Sequence, residues 1–221
     1  MKLGTSIAAK FDSYPNMIQK VDFGRYVVLY SHGGITVDTD MVQLRPIDTT
    51  PFIDTAELMV SVAGFPMNVI GHVNNAIFLA RRHHPIVFEL INSLVRDTTQ
   101  SDDFISRDIY VACTTGPIMV HKFLRKFGES VTYLDHKYYE PCHSADRLCR
   151  PGMDAIMDHR HDASWQSPIS RVIGMLVTLL SYILIVLSVL AAGYAVVRGM
   201  EWWEGRPSHS ITVPISASSS C

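Results

Sequence analysis

The chain has 221 residues, 48% of them hydrophobic, with 19 lysines and arginines against 21 acids and a net charge of −2. That length allows one domain of ordinary size plus an appendage. The near-neutral balance supplies no basic footprint, so no nucleic acid is expected as a partner, and residues 1–20 hold no continuous apolar core of the kind a signal peptide needs.

Residues 1–14 are weakly patterned. From Pro15 to about Tyr30 the apolar positions Ile18, Val21, Tyr26 and Leu29 recur at near-helical spacing. A helix there sets Asp22 and Arg25 three apart on one side. Gly33 and Gly34 follow, where the chain must turn sharply. Ile35, Thr36 and Val37 are β-branched and predict a short strand, which ends in Asp38 and Asp40. On a strand, residues two apart point to one face. Two adjacent carboxylates repel, so a hard divalent cation with oxygen ligands is expected between them, in a position to hold a diphosphate as well.

A polar loop with Pro46 and Pro51 leads to a predicted strand at Leu58–Val62. Residues 64–71 form a loop before the run Asn74-Asn-Ala-Ile-Phe-Leu-Ala80. His84-Pro85 opens an amphipathic helix through Val95, with Ile86, Phe88, Leu90, Ile91 and Leu94 as its buried side. Residues 96–103 are a polar loop and 104–112 a helix. Thr115-Gly116-Pro117 starts another helix, Ile118 to Phe127, with proline in its first turn. Val131–Leu134 is a strand, and 135–153 a loop bearing His, Tyr and Cys. Cys142 and Cys149 in that loop are open to three readings: a disulfide in an oxidising lumen, two free thiols, or a zinc site with His143. Ala155 to Trp165 is rich in histidine. Val172 to Val197 spans 26 residues without a charge, bracketed by Arg171 and Arg198 and followed by Trp202 and Trp203. A helix of that length is about 39 Å, more than a bilayer's hydrocarbon core. One transmembrane helix is expected, with a disordered tail after it.

The stretch Asp22-Phe-Gly-Arg-Tyr-Val-Val-Leu-Tyr-Ser-His-Gly-Gly-Ile-Thr-Val-Asp-Thr-Asp40, followed by Leu44-Arg-Pro-Ile-Asp48, resembles the DXD sugar-binding region of glycosyltransferase family 32. That family includes initiating α-1,6-mannosyltransferases and inositol phosphoceramide mannosyltransferases. Asn74-Asn-Ala-Ile-Phe with His83-His-Pro is similar to its second block, and His159 with Ser164-Trp165 to its third. Arg160, His161 and Asp162 depart from the usual third block, and Thr36 stands where an aromatic residue is usual.

The resemblance implies an α/β GT-A-like mixed sheet with flanking helices, to which the apolar run adds the C-terminal transmembrane helix. The implied division is a catalytic domain at 1–170, the membrane helix at 171–198 and a tail at 199–221. The implied reaction is transfer of a hexose, mannose above all, from GDP-mannose or a UDP-hexose to a glycan, glycolipid or sphingolipid hydroxyl, with retention of configuration. Asp38 and Asp40 are the implied catalytic and metal-binding pair, holding Mn2+ or Mg2+ with His159. Asp22, Arg25, Gly34 and Asn75 are implied on the donor sugar, Ser164 and Trp165 on the diphosphate, and Thr115-Gly116-Pro117 near the acceptor. A single-pass Golgi or other endomembrane location follows. Because only five residues separate Trp165 from Arg171, at most about 18 Å, the cleft is expected close to the bilayer. The family also carries a strand and helix ahead of Asp22 for which residues 1–21 leave little room. The chain is therefore expected to be a shortened transferase. The alternative is a degenerate, non-catalytic membrane partner of a full-length transferase.

Overall fold

The computed structural model describes residues 3–64, 67–142, 149–160 and 166–204. The chain falls into two compact units, residues 1–178 and 179–221. In chain order the elements are α1 (Leu3–Ser13), α2 (Met17–His32), β1 (Gly34–Val37), β2 (Met41–Gln43), β3 (Leu58–Val62), β4 (Val73–Ala80), α3 (Pro85–Arg96), α4 (Arg107–Thr114), α5 (Pro117–Leu124), β5 (Thr132–Leu134), β6 (Met157–His159) and α6 (Pro168–Glu204).

The first unit is built on a four-stranded mixed sheet in the order β1-β4-β3-β5, with β3 and β5 parallel and the other pairs antiparallel. The pleat sorts its side chains onto two faces. Leu58, Val60, Phe78 and Ala80 pack against Phe23, Tyr26, Leu29, Leu90, Leu94, Val120 and Leu124 of the helices. Met59, Ile77 and Leu79 face the other way, onto Leu134, Tyr139, Ile156 and Met157. A second, two-stranded sheet pairs β2 with β6, setting Met41 opposite His159.

One irregularity positions the site. Val60 pairs with Phe78, but the next residue, Ser61, pairs with Asn74, so β4 carries three extra residues, 75–77, against β3. An odd number of extra residues reverses which face each side chain meets. Val73 therefore joins the helix-side core, Asn75 turns toward α2, and Asn74 turns to the opposite face.

The strands at 58–62 and 132–134 and the helix from His84-Pro85 lie where the sequence predicts them. His84 Nδ1 accepts from the Ile86 N–H at 3.2 Å, capping α3. Val87 is buried on that helix and Phe88 only half-buried. Helix α4 begins later than expected because Ser106 caps it, its Oγ accepting from the Ile109 N–H at 3.3 Å. Helix α5 stops at Leu124, and a 3-10 stretch carries the chain to Gly128, at φ +51°. Three elements depart from the sequence reading: α1 is a helix where residues 1–14 are weakly patterned, and β2 and β6 replace expected loops.

Helix α6 opens with a serine cap and a proline in its first turn: Ser167 Oγ accepts from the Ser170 N–H at 3.2 Å. Asp108 Oδ2 accepts from the Ser167 N–H at 2.8 Å. Against the cost of burial, its hydrogen bonds with Ser170 and Ser167 hold the Asp108 carboxyl below its usual range. Pro168–Met200 is 33 residues long and apolar enough to cross a membrane. The tail expected to be disordered lies, from residue 205 on, outside the described residues.

Candidate active site

Gly33 fixes the turn from α2 into β1. It sits at φ +69°, and a Cβ there would lie 2.6 Å from the Arg82 amide nitrogen, so only glycine fits. β1 then runs along β4 and stops where β4 leaves β3; the Asp38 N–H donates to the Ala76 carbonyl at 2.8 Å. Asp38 and Asp40 do not sit on a strand, as the sequence suggests, but in a turn closed by the Met41 N–H on the Asp38 carbonyl at 3.1 Å. That turn achieves the same result by different geometry. One ligand atom from each of Asp38, Asp40 and His159 lies within 4.8 Å of the others.

His159 reaches this place through β6. Its Nε2 is 3.3 Å from Asp40 Oδ2, and its Nδ1 is 2.7 Å from Glu140 Oε1. Glu140 is itself buried and held: its Oε2 accepts from the Gly64 N–H at 3.1 Å, and Asn74 Nδ2 donates to its Oε1. Burial pulls the His159 pKa down. The Glu140 hydrogen bond and charge, with the charges of Asp40 and Asp38, outweigh it and raise the pKa above the ordinary histidine value. The described residues thus concentrate negative charge around one imidazole. Two half-buried carboxylates and an imidazole backed by a carboxylate form a donor set that fits a divalent ion, with Glu140 fixing the ring so that Nε2 faces the site.

A second network adjoins the first. Asp22 Oδ1 accepts from Asn75 Nδ2 and Oδ2 from Thr115 Oγ1, both at 3.0 Å. Tyr26 OH donates to the Thr115 carbonyl at 2.9 Å and lies 3.3 Å from Asn75 Nδ2. Asp22 is buried, and burial pushes its carboxyl up to about 7, against the opposing charge of Arg25. Arg25, one turn on, pairs with Asp38 and donates to the Asn75 carbonyl. Burial works against its charge, but Asp38 outweighs this and holds its pKa above the usual value. Arg25 therefore bolts the Asp22–Asn75 network to the acidic turn.

Of the residues singled out in the sequence, Asp22, Arg25, Asn75, Asp38, Asp40 and His159 come together. Gly34 does not: it starts β1 opposite Ala80, four residues and about 13 Å of strand from Asp38. Ser164 and Trp165 lie outside the described residues. Thr115, expected on the acceptor side, is a partner of Asp22. Glu140 is not legible, being one acid in Tyr138-Tyr-Glu-Pro141; the two tyrosines before it are its one signal. Cys142 and Cys149 form a disulfide, Cα to Cα 5.6 Å, which removes the free-thiol and zinc readings.

Residues 2–57 match the family model described as a glycosyltransferase sugar-binding region containing a DXD motif. Inositol phosphoceramide mannosyltransferase 1 of Schizosaccharomyces pombe is 34% identical over 84 residues, 38% of this chain and 24% of that protein. The chain is similar to the family 32 glycosyltransferases. An uncharacterized glycosyltransferase of Acanthamoeba polyphaga mimivirus is 27% identical over 165 residues, 70% of this chain and 60% of that protein. The chain thus spans less than two thirds of either protein's length. A solved structure titled PaToxG glycosyltransferase aligns at TM-score 0.41 and 18% identity, covering 56% of this chain and 41% of that one, too distant a likeness to argue from. The matched family region holds Asp22, Arg25, Asp38 and Asp40; Asn75, Glu140 and His159 join them only through the fold.

Proposed function

We propose that the chain is a membrane-anchored, metal-dependent glycosyltransferase. It transfers a hexose, mannose above all, from GDP-mannose or a UDP-hexose to a glycolipid, sphingolipid or glycan hydroxyl, with retention and on a GT-A-type sheet. The observation that carries this reading is the joining of two networks through Arg25: Asp38, Asp40 and His159 on one side, and Asp22, Asn75 and Thr115 on the other.

Asp38, Asp40 and His159 would hold Mn2+ or Mg2+. Such an ion, when bound, supplies positive charge against the departing diphosphate. Asp22 and Asn75 orient donor hydroxyls; their mutual hydrogen bond keeps both side chains set before the donor arrives, so little reorganisation is needed. Arg25 fixes the spacing between the sugar end and the acidic turn. Ser164 and Trp165 are the proposed donors to the diphosphate, and Gly34 acts through the backbone that starts β1.

The length and apolar composition of α6 support single-pass anchoring. From His159 to Pro168 is nine residues, at most about 30 Å of extended chain. This tether favours an acceptor whose head group projects from the bilayer. The Cys142–Cys149 bond favours an oxidising lumen, as in the Golgi or another endomembrane.

The test uses the purified full chain in detergent, with manganese, labelled GDP-mannose or UDP-hexose and a sphingolipid acceptor. Transfer is expected, with Asp40→Ala reducing it by at least about 100-fold and leaving the circular dichroism unchanged. Full turnover by Asp40→Ala would remove the ion from the mechanism. Donor binding without any transfer would favour the non-catalytic partner reading.

A further inference from the structure

A cavity of about 440 Å³ lies between the end of α3, the end of α4 and one side of α5, and none of the acidic-cluster residues lines it. Its size is in the range of small-ligand sites. The lining is sharply divided. Leu94, Ile118, Met119 and Phe123 supply the apolar lining and Arg96, Lys122 and Lys126 its cations, with Lys126 Nζ 5.5 Å from the centre of the Phe123 ring. These three cations are exposed, and among the described residues none of them forms an ion pair.

Asp97, the one carboxylate in the lining, forms no ion pair with them. Its Oδ1 already accepts from the Thr99 N–H at 3.1 Å and from Thr99 Oγ1 at 2.5 Å. The α3 carbonyl end, which would repel an anion, is covered by Lys10, whose Nζ donates to the Asp97 carbonyl at 2.5 Å. Thr114 offers no free donor on the inner wall, since its hydroxyl donates to the Tyr110 carbonyl at 2.7 Å and accepts from Gln19 Nε2 at 2.8 Å. Recognition is therefore left to the cations and the hydrocarbon of the lining.

We propose that this cavity binds an amphipathic phosphate monoester, its phosphate between Arg96, Lys122 and Lys126 and its apolar chain on Leu94, Ile118, Met119 and Phe123. The site is separate from the transferase cluster and does not depend on that reading. Lysine and arginine donate charge-assisted hydrogen bonds to phosphate oxygens, and the apolar lining removes hydrocarbon from water.

Cys113 lines the same cavity as a free, half-buried thiol, a built-in reporter. The experiment follows alkylation of Cys113 by N-ethylmaleimide in the full chain, non-reduced in maltoside detergent, with Cys221→Ser as background. The probes are dihexanoyl phosphatidic acid, dihexanoyl phosphatidylcholine and inorganic phosphate at equal concentration. Phosphatidic acid is expected to slow alkylation at least about fivefold, the other two to do so much less, and Lys122→Gln with Lys126→Gln to abolish the protection. The double variant changes exposed side chains, and an unchanged circular dichroism spectrum checks its fold. An unprotected thiol, equal protection by phosphatidylcholine or inorganic phosphate, or protection that survives the double variant would overturn the proposal.

Discussion

Replacing Asp22 by asparagine tests the electrostatics of the sugar-side network through stability alone. In the folded chain the Asp22 carboxyl is pushed from 3.8 to about 7, chiefly by burial. The unfolded chain releases that proton near the ordinary value, so between about pH 4 and pH 7 the folded state holds a proton that the unfolded state gives up. A raised carboxyl contributes stability at low pH that is lost as pH rises through the folded value. A shift of about three units at about 1.4 kcal/mol each gives a ceiling of about 4 kcal/mol, of which about 3 kcal/mol falls between pH 4.5 and pH 8. Asparagine keeps the shape but does not titrate. Urea unfolding of the full chain in detergent, followed by circular dichroism at both pH values, is expected to show wild type losing about 3 kcal/mol more than Asp22→Asn. Parallel losses in the two proteins would refute the reasoning, because the Asp22 carboxyl would then titrate alike in both states.

Glu140→Gln keeps one acceptor oxygen, enough for the Gly64 N–H, but loses the charge that grips His159. Manganese affinity by calorimetry is expected to fall about 10- to 100-fold, as for other residues that orient a ligand, with the unfolding midpoint little changed. Gly33→Ala forces a side chain into the left-handed region and against the Arg82 backbone. It is expected to cost about 1–3 kcal/mol of stability or more, read by the same urea experiment.

Much of this architecture was written locally in the chain. The β-branched run Ile35–Val37, the short apolar run Leu58–Val62 and the helical spacing of Ile86, Leu90, Ile91 and Leu94 are each local signals, and the structure follows them. Strands β2 and β6 were illegible because three residues are too few for a period, and their pairing joins residues more than a hundred positions apart. Helix α1 was missed because Gly4, Thr5 and Ser6 weaken the helical signal at its start, while Ile7 is held by tertiary packing. At the site, Asp22, Arg25, Asp38 and Asp40 share one short segment and were readable together. Why Asn75 faces Asp22 was not, because that orientation depends on three extra residues in β4. Glu140 carries no local sign of the histidine it orients. The two cysteines allowed three chemistries until the fold brought them together.

The most direct test is calorimetry of the full chain in detergent with manganese, titrated with GDP-mannose and UDP-hexoses, in wild type, Asp38→Asn and Asp40→Asn. Asparagine at position 38 still offers Arg25 an oxygen, which guards the fold. One donor is expected to bind wild type only when manganese is present and to bind neither variant detectably. Donor binding that ignores manganese, or that both variants retain, would contradict the claim that this acidic turn holds the cation for the sugar diphosphate.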